Sequence, residues 1–203
     1  MDRERGTFVR YVHSPTDARS LSDDRILAIV EDSSGVLWVG TQGGGLDRYD
    51  REKDHFIHYK NDPYDSQSLS SNSIRSIYED RGGVLWVGTL GTGLNKANPT
   101  NQKFALYRQE PGNPNSLSGS SIWAIREDHE GVLWVGTDSG GLNRFDRESG
   151  QWTNYLHDPG DPHSLSDNTV RAIYEDRSGT LWVGTANGLD QFDRSNQQFS
   201  HYR

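Results

Sequence analysis

This 203-residue sequence predicts an all-β fold, a β-propeller made of four 48-residue repeats, each a four-stranded blade. Three observations predict it. Tryptophan recurs at a 48-residue step, at Trp38, Trp86, Trp134 and Trp182, and Leu21, Leu69, Leu117 and Leu165 keep the same step. A period in this range marks a repeat architecture. Each copy divides into four short β-prone runs parted by turn residues, with no helical periodicity. The run around the tryptophan, VLWVGT in three copies and TLWVGT in the fourth, is apolar on both faces. A strand buried on both faces lies within a stack of sheets. Four-stranded sheets repeated radially make a propeller; a solenoid is the alternative, though its β-only repeats are usually shorter.

The second copy shows each element in order. Ser73–Tyr78 is a short β-prone run and forms the first strand. Asp80 and Gly83 then hold positions i and i+3 of a type I turn, the core of a four-residue hairpin loop. The equivalent turn residues are Asp32, Asp128 and Asp176. Val84–Thr89 is the doubly apolar second strand. Gly91-Thr92-Gly93 turns the chain into a third strand, Leu94–Ala97. A polar loop leads to the fourth strand, Phe104–Tyr107, whose two rings, three residues apart, fall on opposite faces. The blades are expected at about 21–59, 69–107, 117–155 and 165–202. An extra outer strand is expected at 8–12, where Phe8 and Tyr11 repeat the fourth-strand pattern. One outer strand is therefore surplus, as in a piece of a longer array or in chains that exchange a strand.

Composition narrows function. The net charge is −8 with no basic stripe, so nucleic acid is not an expected partner. No apolar run is long enough to span a membrane, and the start, Met1-Asp2-Arg3-Glu4-Arg5-Gly6, lacks a signal-peptide core. There is no cysteine, hence no disulfide framework and no cysteine-ligated metal. The Glu31-Asp32, Glu79-Asp80, Glu127-Asp128 and Glu175-Asp176 pairs and the Asn61–Asp65 segment are rich in oxygens, but no EF-hand loop is present. No metal or cofactor is expected. No pair of carboxylates stands out from the repeat as a glycosidase would need, so no catalytic residue is assigned and an enzyme is not expected.

The composite pattern resembles the two-component regulator propeller repeat. The fourth copy carries it as Ser164-Leu165-Ser166-Asp167-Asn168, Glu175-Asp176, Leu181-Trp182-Val183-Gly184-Thr185 and Gly188-Leu189. That copy is one residue shorter between Trp182 and Leu189, and Ser120 stands in the third copy where Asn72 and Asn168 stand in others. The resemblance implies a periplasmic or extracellular sensor propeller that in its family precedes an immunoglobulin-like domain, a membrane helix and a histidine kinase. It also implies a ligand of carbohydrate type.

Shared residues build the scaffold, so Trp38, Trp86, Trp134, Trp182 and the four turn aspartates are read as structural. A specific activity belongs to positions that differ between copies. In a propeller the loops after the second and fourth strands ring the channel mouth. There Leu27, Arg75, Trp123 and Arg171 are equivalent but unlike, as are Gln42, Leu90, Asp138 and Ala186. The candidate ligand-binding set is Arg75, Trp123, Arg171, Gln42, Asp138 and Asn187. Trp123 offers a ring for a sugar face, the arginines a bidentate fork for a carboxylate or sulfate, and the others hydrogen bonds to hydroxyls. The expected partner is an oligosaccharide or small polar ligand. Four repeats make a sharply curved ring, so a homo-oligomer, a dimer giving eight blades, is also expected. The competing reading is a protein-interaction or self-assembling scaffold, since fold does not dictate function.

Overall fold

A computed structural model describes residues 6–98 and 103–202 of the chain. It contains four antiparallel four-stranded sheets, each wound in sequence order. The first blade is β1 (Ile26–Glu31), β2 (Leu37–Thr41), β3 (Leu46–Asp50) and β4 (His55–Tyr59). The second is β5 (Ile74–Glu79), β6 (Leu85–Thr89), β7 (Leu94–Asn98) and β8 (Lys103–Tyr107). The third is β9 (Ile122–Glu127), β10 (Leu133–Thr137), β11 (Leu142–Asp146) and β12 (Gln151–Tyr155). The fourth is β13 (Val170–Glu175), β14 (Leu181–Thr185), β15 (Gly188–Asp193) and β16 (Gln198–Tyr202). Neighbouring blades pack through their innermost strands, β1 on β5, β5 on β9 and β9 on β13. The four blades do not close into a ring, because the outer faces of the first and fourth remain open. Ile29 is 64% and Tyr174 58% exposed, whereas Ile77 and Tyr78, their equivalents in the second blade, pack against buried clusters.

The hairpin after each first strand is tighter than a four-residue loop. The Gly35 amide donates to the Asp32 carbonyl at 2.9 Å and the Asp32 amide to the Val36 carbonyl at 2.9 Å. Gly35 has φ of 81°, in the left-handed region. This is a three-residue loop, a type I turn followed by a left-handed glycine. The turn aspartate then does two jobs. Asp128 Oδ1 accepts the Glu130 and Val132 amides, while Oδ2 accepts the Trp134 indole N–H at 2.7 Å. The same bond runs from Trp38 to Asp32, Trp86 to Asp80 and Trp182 to Asp176, at 2.8, 2.6 and 2.9 Å. The aspartate thus satisfies a turn and aims a tryptophan. Hydrogen bonds from the Ser178 hydroxyl, the Trp182 indole and turn amides hold the Asp176 carboxyl down at about 2. Asp32 and Asp128 are also lowered, because such bonds outweigh the desolvation that opposes them. A depressed carboxyl contributes stability that is complete above its unfolded value near 4 and lost as pH falls through the folded value. Acid unfolding followed by tryptophan fluorescence is therefore expected between pH about 4 and about 2.

In the first three blades the aimed tryptophan crosses to the next blade. Trp86 of the second blade is buried among Leu117, Ile122, Leu133 and Phe145 of the third, and Trp134 among Leu165, Val170, Leu181 and Phe192 of the fourth. Trp182 has no following blade and meets Tyr202 of its own sheet, ring centroids 5.5 Å apart. The outer strand's two rings divide as their spacing predicts. Phe56 packs with Leu21 and Val39 of its own blade, while Tyr59 packs against the second blade's cluster.

The expected extra strand at 8–12 is not a strand. Among the described residues, 8–12 carry no strand or bridge, and Phe8 is 79% exposed. A parallel bridge joins His13 to Leu21. Yet Tyr11 packs edge-on against Tyr49 and Phe56, centroids 5.5 and 5.6 Å away. Tyr155 packs the same way on Phe192 and Phe199 of the fourth blade. The segment supplies a preceding blade's tyrosine without its ladder bonds. Met1–Arg5, the start without a signal-peptide core, lie outside the described residues.

Candidate functional site

The residues singled out at the channel mouth sit on bulges. Pairing between β1 and β2 runs Ile26 to Thr41 and then Ala28 to Gly40, leaving Leu27 as the extra residue. The same shift leaves Arg75, Trp123 and Arg171 as the extra residues of β5, β9 and β13. A bulge re-aims one side chain and breaks the alternation of faces. In three of the blades the residue just before it makes a close contact with the preceding blade. Ile74, Ile122 and Val170 seat their branched side chains on Gly40, Gly88 and Gly136 of the preceding blade. That contact fixes the entry of those three strands, while the first blade keeps its bulge at Leu27 without it, so the bulge belongs to each blade itself.

The bulged residues meet across blades. The Arg75 guanidinium lies 3.9 Å from the centroid of Trp123, and that of Arg171 lies 5.8 Å away. One tryptophan therefore carries a cation from each neighbouring blade, an arrangement favoured by the ring's negative face. Arg75 covers one face of Trp123, so an unobstructed sugar platform is not what the tryptophan presents. Neither arginine has a carboxylate partner within ion-pairing distance among the described residues. The indole N–H of Trp123 is buried with no protein acceptor.

The other candidates lie in the turns after the second strands. Gln42, Asp138 and Asn187 are exposed. The amides of Gln42 and Asp138 donate to the carbonyls of Arg25 and Ser121 just before the next bulge, and the Asp138 carbonyl accepts the Thr169 hydroxyl at 2.7 Å. The missing residue in the fourth copy makes this turn a two-residue hairpin, Thr185 pairing directly with Gly188, and the Asn187 side chain donates to the Ser166 carbonyl.

The remaining polar groups are tied into the scaffold. Asp62 and Asp65 accept the amides of Tyr64 and Gln67 within their own turn. Glu79 accepts the Ser33 amide and hydroxyl of the preceding blade, and Glu127 and Glu175 accept the amides of Arg81 and His129. The Glu-Asp pair thus divides its labour, the Glu reaching backward and the Asp holding its own turn. His13 and His157 place Nδ1 at 2.7 Å from the carbonyls of Leu21 and Leu165.

Two features were missed in the sequence. The side chains of Asp47, Asn95, Asn143 and Asp190 are fully buried on the third strands, where each accepts the amide of the serine that follows the repeat leucine. Their signal is an Asn or Asp after every third-strand leucine. The second feature is a groove of about 450 Å³ on the mouth rim, lined in part by Asp62, Thr92, Arg108, Gln109 and Ser120. Asn72 and Asn168 accept the amides of Asn61 and His157 at 2.7 Å, but Ser120 is too short to do so for Gln109. The departure at Ser120 was visible; its consequence was not.

The sequence model of the two-component regulator propeller matches residues 20–43, 68–91, 116–139 and 164–187, once in every blade. The chain is an array of two-component regulator propeller repeats. The matched segments begin just before the repeat leucine and end in the turn after the second strand, so they contain both the structural Asp–Trp pair and the bulge. No curated protein matches the chain in sequence. Among solved structures, the extracellular domain of a hybrid two-component system from B. thetaiotaomicron is similar over 94% of the chain at 27% identity, with a TM-score of 0.66. A second such domain from the same organism aligns over 94% at 27% identity, with a TM-score of 0.72. The chain spans only 32% and 26% of those two chains. Virginiamycin B lyase from Staphylococcus aureus shares the fold at 17% identity, covering 94% of this chain and 57% of the lyase, with a TM-score of 0.63. The propeller repeat array therefore resembles extracellular sensor domains, on a fold that also serves enzymes.

Proposed function

We propose that this repeat array is the ligand-binding part of an extracellular or periplasmic sensor, that it performs no catalysis, and that it binds an acidic oligosaccharide or similar polar anion at the bulged row. The observation that carries this reading is Arg75 and Arg171 flanking Trp123 without a carboxylate partner, on a chain of net charge −8. Unpaired guanidiniums beside a buried indole N–H offer donors that a carboxylate or sulfate satisfies bidentately. Asp138, Gln42 and Asn187 stand on the same rim, ready for hydroxyls. The two solved sensor domains support the sensing role. Calorimetric titration with acidic and neutral oligosaccharides tests it. Acidic ligands should bind, neutral ones at least about tenfold more weakly. Equal binding of both kinds, or none, contradicts the reading.

A second reading, self-assembly, is favoured by the open blade faces. Gly184 on β14 is the one glycine of its row with no neighbouring blade seated on it. In the other blades that seat receives Ile74, Ile122 or Val170, and Ile26 is their counterpart in the first blade. A second copy would bring its Ile26 there. At the opposite face Tyr11 already holds the position that the incoming Tyr202 would take, so closure into an eight-bladed ring requires the segment around Tyr11 to move.

A further inference from the structure

The three blade interfaces are built alike, except one. Between the second and third blades, the Phe145 ring lies 6.2 Å from Trp86, 5.4 Å from Tyr107 and 4.6 Å from Trp152. Arg147, two residues on, lies over Trp86 and reaches Asp80 at 3.1 Å and Glu127 at 3.5 Å. Between the third and fourth blades, Phe192 lies 5.2 Å from Trp134 and 5.1 Å from Tyr155. Arg194 reaches Asp128 at 2.7 Å and Glu175 at 2.8 Å. Each interface is thus completed by an aromatic ring and a guanidinium on one short segment, held by two carboxylates.

Among the described residues, the interface between the first and second blades has neither. Ala97 stands in the ring's place, and in the repeat's numbering Pro99, outside the described residues, is the counterpart of Arg147. The aromatic walls remain, with Trp38 and Tyr59 5.7 Å apart and Tyr59 and Phe104 6.2 Å apart. Both carboxylates remain, and neither Asp32 nor Glu79 has a cation partner within ion-pairing distance among the described residues. What results is a cavity of about 200 Å³ lined by these side chains together with Ala97 and Arg48. An apolar cavity of about 150 Å³ suffices for a benzene-sized guest.

We propose that this cavity is a binding site for a small arylalkyl cation, an aromatic ring joined by a short chain to an ammonium or guanidinium. The ring takes the place that Phe145 and Phe192 fill in the other interfaces. The cation takes the place of Arg147 and Arg194, between the carboxylates of Asp32 and Glu79. Arg48 supplies one positive charge to the lining against those two negative ones, so a cation is the guest that balances it. The site lies at the end of the blades that carries the Asp–Gly turns, away from the bulged row, and its ligand is of opposite charge to the one proposed there.

Phenethylamine and phenethylguanidine are the probes, with the uncharged 2-phenylethanol and the anionic 3-phenylpropionate as comparisons. Calorimetry on the intact chain should show both cations binding, and the two comparisons at least about tenfold more weakly. In a nitrogen-correlated NMR spectrum the Trp38 indole N–H should shift on adding either cation. Ala97→Phe should fill the cavity, raise Tm by roughly 4 °C and abolish binding. Ala97→Phe with Pro99→Arg should do the same, since it restores the repeat's own pair. Should either variant fail to fold, the Trp38 shift and the charge preference still decide. Absence of binding by both cations, binding that ignores charge, or full binding by a folded Ala97→Phe protein overturns the proposal.

Discussion

Gly136→Val is expected to destabilise the third and fourth blades by more than about 3 kcal/mol. A Cβ at Gly136 would lie 2.6 Å from Val170 Cγ1, well inside van der Waals contact, and valine adds two methyl groups beyond it. Overpacking of this kind costs about 1–3 kcal/mol where neighbours can give way, occasionally more. Here the neighbour is the entry residue of the next blade's innermost strand, locked on its other side within the fourth-blade cluster. A loss above about 3 kcal/mol is a large share of the roughly 5–15 kcal/mol that holds such a domain together. Gly88→Val should behave alike, since a Cβ there would lie 2.7 Å from Ile122 Cγ2. Gly184→Ala should be nearly silent in the single chain, because its nearest neighbour is the Ala172 Cβ at 3.4 Å. Chemical denaturation measures the contrast. If a second copy seats Ile26 on Gly184, bulk there lowers the assembled mass without lowering the chain's own stability. Comparable destabilisation by Gly136→Val and Gly184→Ala in the single chain would contradict the one-sided packing described above.

Trp134→Ala carries the second large effect. The side chain is fully buried and joins two blades, with its ring 5.2 Å from Phe192 and 6.0 Å from Tyr155. Its removal opens a cavity and also leaves the buried Asp128 carboxylate without the indole donor. Truncations of this size cost about 3–5 kcal/mol. Arg194 still contacts Asp128, so the carboxylate is not wholly orphaned. Trp182→Ala, at the half-buried equivalent in the last blade, should cost clearly less. Thermal unfolding of the two variants side by side checks the ranking, and equal losses would show that the cost arises within a blade, not between blades.

Much of this scaffold was legible in the sequence because the scaffold is what repeats. The period located all sixteen strands, the turn aspartates and the tryptophans, since each is required once per blade. The division of Phe56 and Tyr59 between two faces followed from strand alternation alone. The turn was read one residue too long, since Asp32 and Gly35 suit both loop lengths and only the left-handed φ of Gly35 decides between them. The strand at 8–12 failed for a related reason. Phe8 and Tyr11 carry the apolar pattern of an outer strand, but a strand also needs a partner edge, and only the Tyr11 ring finds its place. Arg75, Trp123 and Arg171 were found by their differences, but not the bulge that gathers them. That bulge is a register shift between the first and second strands of every blade, which no pattern of apolar residues announces. Ala97 looked like ordinary variation, and its meaning emerged only once Phe145 and Phe192 were seen to fill the same place elsewhere.

The most direct measurement is the affinity of an acidic oligosaccharide for the native chain against Arg171→Ala, Trp123→Leu and, as a scaffold control on the far end of the blades, Ser34→Ala. Loss of binding by about tenfold or more in the first two, with the control unchanged, is the result predicted for a ligand held at the bulged row. Unchanged affinity in both bulge variants, with the fold intact, would contradict it.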